Sequence, residues 1–377
     1  MASIQKRANG RWRARFRDEG GREHAQHFQR KADTQAWLDE QTARIVRGEW
    51  ADPRAGRESL RLYATRWQSI QVSSAGTARI VDNALRLHIL PRLGDHRIGD
   101  IRRSDVQALV KWLEVHEIRP ASDDDPARTL SAGSIRNIYE VLARVMDAAI
   151  EDRVISVSPC RRIALPKDHD DEVEVPTLED VERVRSVLGK RWQAIPVVLA
   201  GSGLRVGELL GLRLSDVDFL RRTVRVERQR LQSHQIAPLK SKASRRTVPV
   251  GQVVIDALAA HLAAYPSTAD ALFADELGEP LTYRRWKRLL SDATKAAEVD
   301  LTSHSFRHFA ASALISGGAS VKQVQTFLGH ASAVITLRTY AHLWPGDEDR
   351  TRNVLDAALG PLGALADSLR TEAASKR

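Results

Sequence analysis

The period of the packing residues changes along this chain, and that change constrains its fold more than any other feature. Directly after the hairpin signal Asn9-Gly10, Arg11, Arg13, Arg15 and Arg17 alternate with Trp12, Ala14 and Phe16. In a strand this puts the arginines on one face and the packing residues on the other. Gly20-Gly21 marks a second turn, and Glu23 to Phe28 reads as a third strand. Far downstream, Thr223-Val-Arg-Val-Glu-Arg228 alternates again, and Arg246-Thr-Val-Pro-Val250 suggests its return strand.

Most of the remaining chain reads as helix. Ala32 to Val46 offers Ala36, Trp37, Ala43 and Val46 for packing, and Asp52-Pro-Arg-Ala-Gly56 then breaks the pattern. Four amphipathic segments follow. The first carries Leu60, Leu62, Tyr63 and Trp67. The second runs from Thr77 to Ile89 with Ile80, Val81, Leu85 and Leu87, and Pro91 follows its end. Ser104-Asp-Val-Gln107 resembles a capping box opening the third, with Val106, Leu109, Val110 and Leu113. The fourth is Ser134 to Ile150, with Ile138, Val141, Leu142 and Val145. Between the last two lies the acidic loop Pro120 to Pro126. Thr177-Leu-Glu-Asp180 looks like a further helix start, and Val254 to Ala264 and Arg284 to Ala297 are helical again. The expected fold class is α+β and multidomain. A small three-stranded sheet plus helix (1–52) precedes a four-helix unit (57–162) and a linker (163–176). A mainly α domain with a small antiparallel sheet (177–345) and a tail (346–377) able to form a helix over Val354 to Leu369 complete it.

At 377 residues the chain is long enough for two or three domains. No apolar run approaches membrane-spanning length, the N-terminus lacks a secretory core, and the single Cys160 excludes an internal disulfide. A protein of the reducing cytoplasm is expected, with Cys160 as a small buried residue. The net charge of +10 favours an acidic polymer as partner. Residues 1–31 hold nine Lys/Arg against three Asp/Glu, and residues 221–246 hold nine against one. Two such clusters suit nucleic-acid phosphates.

The chemistry-bearing stretch is Leu301-Thr-Ser-His-Ser-Phe-Arg-His308, followed by Leu328-Gly-His330 and then Tyr340. His304 and Arg307 are three apart and share a helix face. Upstream, Gly203-Leu-Arg205-Val-Gly-Glu208 places an arginine in an apolar segment, where an unpaired charge would be costly, with Glu208 one turn on as its partner. Between them, Pro238-Leu-Lys240-Ser-Lys242-Ala-Ser-Arg-Arg246 is a basic tip. A zinc site from His304, His308 and His330 is disfavoured because the glutamate of H-E-x-x-H is missing. No metal and no cofactor are expected.

In order and completeness this set resembles the tyrosine recombinase family, of the phage-integrase type, and the likeness spans nearly the whole chain. The resemblance implies that Tyr340 attacks a DNA phosphorus and forms a 3′-phosphotyrosyl intermediate, while Arg205 and Arg307 hold the charge of the transition state. It implies that a hairpin lysine protonates the leaving 5′-oxygen. Strand parity cannot separate Lys240 from Lys242, and family spacing around Thr247-Val-Pro249 favours Lys240. His304 would take the tyrosine proton or bind phosphate, and His330 would donate to the phosphate. Glu208 would have a supporting role, and His308 reads as structural. Residues 1–52 would be an arm-type DNA-binding domain using Arg11, Arg13, Arg15 and Arg17, and 57–162 a core-binding domain. The unselected lysine, Arg245 and Arg246 would contact backbone phosphates. Four protomers would assemble on two double-stranded attachment sites of core and arm type, with an excisionase and a DNA-bending host factor as candidate partners. The rivals are a type IB topoisomerase and a catalytically silent DNA-binding regulator of the same fold.

Overall fold

The structure is a computed structural model that describes residues 2–18, 20–47, 50, 52, 54–119, 128–167, 174–239, 241–266, 271–344 and 351–360. The chain divides into two compact units, 1–170 and 171–377.

In the first unit, β1 (Ser3–Lys6), β2 (Trp12–Arg17) and β3 (Glu23–Phe28) form an antiparallel sheet in that order. Gly10, at φ +80°, makes the tight turn between β1 and β2. The alternation in β2 is realised: Ala14 and Phe16 are buried, and Arg15 and Arg17 are exposed. Helix α1 (Lys31–Val46) covers the inner face of the sheet. Its packing stripe is Thr34, Trp37, Leu38 and Ile45, because Ala36 and Val46 point outward.

The helical part of this unit contains α2 (Leu60–Ser69), α3 (Ala75–Asn83), α4 (Leu90–Leu93), α5 (Arg103–Val115) and α6 (Ala132–Glu151). A short hairpin of β4 (Glu117–Arg119) and β5 (Arg128–Thr129) joins α5 to α6. The acidic loop expected at 120–126 lies outside the described residues. A π-helical turn, Ala84–Ile89, links α3 to α4, so the helical path runs on through Pro91 instead of stopping before it. A proline ring clashes with the carbonyl four residues back in a regular α-helix, and here that carbonyl belongs to the widened turn. The wider turn also rotates the buried stripe. Val81, Ala84, Leu85, Ile89 and Leu93 face inward, while Ile80 and Leu87 are exposed. Leu62 also faces out, and Leu60, Tyr63, Ala64 and Trp67 pack. Helix α5 is capped at Arg102 by Asp105, not at Ser104.

In the second unit, Thr177 caps α7 (Leu178–Val187) in a box with Asp180. Helices α8 (Ala194–Ser202) and α9 (Val206–Leu209) follow. A three-stranded antiparallel sheet is built from β6 (Val217–Asp218), β7 (Thr223–Val226) and, later in the chain, β10 (Arg246–Pro249). Between β7 and β10 lies a hairpin of β8 (Arg228–Arg230) and β9 (Ile236–Pro238). The unit continues with α10 (Gln252–Ala264), α11 (Tyr283–Ala296), α12 (Ser305–Ser316), α13 (Val321–Leu328) and α14 (Ala333–Tyr340). Residues 351–360 are helical and exposed, and the rest of the expected tail helix lies outside the described residues. No helix among the described residues is long and apolar enough to cross a membrane.

The core of the helical part of the first unit is tight, and Leu142 is fully buried in it. Leu142→Ala should cost about 2–5 kcal/mol, whereas exposed Leu220→Ala should change stability by less than about 0.5 kcal/mol. Denaturant unfolding of the two variants checks this, and equal losses would contradict the packing described.

Candidate active site

The local sequence brings distant side chains together by stopping two helices on glycines. Helix α8 ends at Gly203, with φ +60°, and α13 ends at Gly329, with φ +68°. Both positions are also crowded. A Cβ on Gly203 would lie 2.8 Å from the Phe327 ring, and one on Gly329 would lie 3.0 Å from the Arg246 guanidinium. Only glycine meets both demands, the left-handed backbone and the close approach.

Immediately after Gly203 the chain turns into α9 with Arg205 as its N-cap residue. Glu208, buried one turn on, accepts hydrogen bonds from the Arg205 backbone N–H and from Arg205 Nη1, each at 3.0 Å. A second guanidinium meets the same carboxylate: Arg246 Nη2 donates to Glu208 Oε2 at 3.0 Å. Burial alone would raise the Glu208 pKa. Arg246 and then Arg205 outweigh it, and the carboxyl is held below its ordinary value of 4.5.

This corrects the expectation for Arg246. Its Nε donates to the Phe327 carbonyl at 2.8 Å and its Nη1 to the Ser244 carbonyl at 3.0 Å, and only 5% of the side chain is exposed. The guanidinium is spent on internal acceptors and does not present itself to a phosphate backbone. Strand parity carried the signal: Arg246 shares its face with Val248 and Val250, which are buried. Arg245, on the other face, is exposed.

Arg307 lies on the inner face of α12 between Phe306 and Ala310, and is 1% exposed. Among the described residues no carboxylate touches it directly. Nη1 donates to the Gly203 carbonyl at 2.6 Å and Nη2 to the Leu328 carbonyl at 2.7 Å. Those are the C-terminal ends of α8 and α13, where the helix dipoles are negative and carbonyls lack intrahelical partners. Burial, then repulsion from Arg205, pushes its pKa down to about 9, opposed by Glu208. It remains a cation at neutral pH, with three of its five N–H groups still unspent.

His304 stands just before α12, exposed at the rim, in a turn where Thr302 Oγ1 accepts from the His304 N–H at 3.2 Å. Its pKa is lowered by burial of the ring's inner side, then by Arg307 and Arg205. His330 follows Gly329 and is 8% exposed, with Nδ1 2.8 Å from Thr336 Oγ1. Burial first, then Arg307, Arg205, Arg246 and His304, push its pKa down to about 4. Tyr340 closes α14 and packs against Ala311, Ile315, Val324 and Leu328, with its hydroxyl 2.8 Å from His308 Nδ1.

Arg205, His304, Arg307, His330 and Tyr340 line one cavity of about 310 Å³. Ser241, Ser244 and Thr339 complete its polar lining. Lys240 lies outside the described residues, as does the side chain of Lys242, although Ser241 between them borders the cavity. Sequence reading missed Ser241, Ser244, Thr336 and the contact of His308, which it had taken as structural. In the first unit, Arg13 Nη2 donates to Glu23 at 2.9 Å, Arg15 lies 3.6 Å from the same carboxylate, and Arg11 and Arg17 are exposed. Among the described residues no group of three His, Cys, Asp or Glu could hold a metal ion.

Comparison with known proteins places the chain among its relatives. Residues 172–345 match the model of the phage integrase family. The chain is 31% identical over 250 residues to the tyrosine recombinase XerC of Myxococcus xanthus, covering 63% of this chain and 78% of that one. It is 25% identical over 344 residues to the integrase of Mycobacterium phage FRAT1, covering 86% and 98%. Among solved structures, the Tn1549 transposon integrase in complex with a circular intermediate DNA superposes with a TM-score of 0.65 at 23% identity, over 79% of this chain and 98% of that one.

Glu208→Gln should cost about 3–5 kcal/mol, because it strips the buried Arg246 of its counter-charge. The pH dependence has a definite sign. A carboxyl held below 4.5 in the folded state adds stability above that value and loses it as pH falls through its lower folded pKa. The wild-type chain should therefore lose more stability than the variant on acidification. Denaturant midpoints between neutral and acid pH measure this, and parallel acid limbs would refute the ion cluster.

Proposed function

Because the chain belongs to the phage integrase family of tyrosine recombinases, we propose that the cavity on its second unit cleaves and rejoins DNA through a phosphotyrosyl bond. The chain is a site-specific DNA recombinase of the integrase kind. The observation that carries the proposed chemistry is the charge at the cavity: Arg205 and Arg246 share the single carboxylate of Glu208, Arg307 adds a third guanidinium bonded only to carbonyls, and five candidate residues face the same space.

Such a site is short of negative charge. A phosphodiester supplies it, and the pentavalent transition state supplies more. Arg205, 41% exposed, would donate to one non-bridging oxygen, and the unspent N–H groups of Arg307 would reach another. His330 is fixed at Nδ1 by Thr336, which leaves Nε2 for the phosphate. His304, at the rim, would also bind phosphate. Tyr340 would attack phosphorus, the bond to the 5′-oxygen would break, and Lys240 or Lys242 would protonate the leaving oxygen. Attack by a different 5′-hydroxyl would reverse the step and exchange strands with no energy source.

On this reading the DNA is a pair of attachment sites of core and arm type, bound by four protomers. Residues 1–52 would read the arm sites, with Arg11 and Arg17 freer for phosphate than Arg13 and Arg15, which share Glu23. Residues 57–162 would bind the core site. Arg245 would add a backbone contact. Integration of a phage or mobile element in a bacterial cytoplasm is the proposed role, with an excisionase and a DNA-bending host protein as further partners.

Two outcomes test the chemistry. A nicked suicide duplex should trap a covalent adduct with the wild-type chain and none with Tyr340→Phe, read by denaturing electrophoresis; an adduct in the variant overturns the nucleophile. Arg205→Ala should bind the duplex yet cleave about 100- to 1,000-fold more slowly. If binding vanished at moderate salt, Arg205 would be a docking residue instead.

A further inference from the structure

His308 has no part in the chemistry above, yet it alone among the described residues meets the Tyr340 hydroxyl, its Nδ1 lying 2.8 Å away. The two rings stand 5.6 Å apart at 64°, so the imidazole edge, not its face, addresses the phenol. Tyr340 is 1% exposed. Its oxygen therefore depends on a protein partner, and a buried hydroxyl without one costs about 1–3 kcal/mol. Apolar packing from α12 and α13 holds the ring, but only His308 addresses its polar end.

The geometry points to His308 as the positioning residue for the Tyr340 hydroxyl: its Nδ1 accepts the phenol's hydrogen bond, fixes the rotation of the O–H group, and leaves an oxygen lone pair free for phosphorus. This rests on the assignment of Tyr340 as nucleophile. His304, for which the family resemblance left open the tyrosine proton or a phosphate contact, stands one turn away at the rim with its ring edge-on to His308 at 4.6 Å.

The acceptor role requires a neutral ring, because an imidazolium donates from both nitrogens and would occupy the lone pair that attack needs. Among the described residues, the charged and titratable groups acting on His308 oppose its protonation: His304, just before α12, and Arg307 on α12. On the Tyr340 side, Arg307 and Arg205, at the start of α9, act on the phenol. Burial, then His304, then Arg307, push the His308 pKa down to about 4. Burial raises that of Tyr340, against Arg307 and Arg205. A neutral acceptor thus faces a protonated phenol throughout the neutral range. On cleavage, the bond from the tyrosine oxygen to phosphorus forms and the bond to the 5′-oxygen breaks. The phenol proton moves along the existing hydrogen bond to Nδ1, and the hairpin lysine supplies the 5′-oxygen with its proton. Bound phosphate, set against Arg205 and Arg307, offsets the repulsion that keeps Nδ1 unprotonated in the free chain. Rejoining returns the proton to the tyrosine.

Single-turnover adduct formation on the suicide duplex, with the full chain in excess, tests this. His308→Leu fills the space without an acceptor, and His308→Asn restores an acceptor oxygen close to the place of Nδ1. The Leu variant should form adduct roughly 100-fold more slowly, as for a misplaced reacting group, with unchanged duplex affinity. The Asn variant, which restores the acceptor but cannot take the proton, should recover part of the loss and form adduct faster than the Leu variant and more slowly than wild type. The Leu deficit should shrink as pH rises toward ionisation of the phenol, since a phenolate has no proton to place. Wild-type rates in the Leu variant would overturn the assignment. So would an equal, pH-independent deficit in both variants, the mark of a purely steric role. A parallel Tyr340→Phe chain separates the two readings. Adduct there removes the nucleophile and with it any task for His308. Adduct lost there but formed at full rate by His308→Leu removes His308 alone.

Discussion

The arrangement hangs on one buried carboxylate. Glu208 accepts from Arg205 on one side and Arg246 on the other. Without it, two guanidinium groups would face each other with Arg307 nearby. Two like unit charges 4 Å apart repel by about 4 kcal/mol at the effective dielectric typical of a protein surface. With it, Arg246 ties β10 to the end of α13 through the Phe327 carbonyl, and Arg205 is held at the cavity mouth. The carboxylate neutralises one cation of three. It is enough to let the cluster fold and too little to satisfy it, and that imbalance suits an anionic ligand.

The histidines sharpen this polarity by staying neutral. His330 and His308 both have pKa values pushed down to about 4, by burial first, then by Arg307 and Arg205 for His330 and by His304 and Arg307 for His308. The fixed charge of the pocket therefore comes from arginines, whose protonation does not vary across the physiological range. The imidazoles remain available as hydrogen-bonding groups. Thr336 and Tyr340 occupy one ring nitrogen of each and so set which nitrogen faces elsewhere.

Much of this was legible in the sequence, for identifiable reasons. The β2 alternation is a property of the backbone and survived folding intact. Arg205, His304, Arg307, His330 and Tyr340 could be gathered because their types and order resemble those of the tyrosine recombinase family, and the structure brings all five to one cavity. What escaped depended on direction. Arg246 looked like a surface charge because its basic neighbours dominated, although its parity with Val248 and Val250 pointed inward. His308 looked inert because nothing in the linear sequence says that α14 returns its last residue to the second turn of α12. The π-helical turn at Ala84–Ile89 could not be read at all, since one extra residue in a helical turn leaves no compositional mark. For the hairpin lysine, parity is identical at Lys240 and Lys242, so the ambiguity is intrinsic to the sequence.

Arg307 closes two helices with one side chain, bonding the carbonyl ends of α8 and α13 at once. The group proposed to grip the phosphate is thus also a structural clasp. Substrate capture and the folding of the catalytic unit are consequently linked equilibria: a ligand that engages the clasped form alone must stabilise it by mass action. Duplex arrival would then raise the resistance of α8 and α13 to local opening, so the cavity would become a rigid template only once there is something to cut.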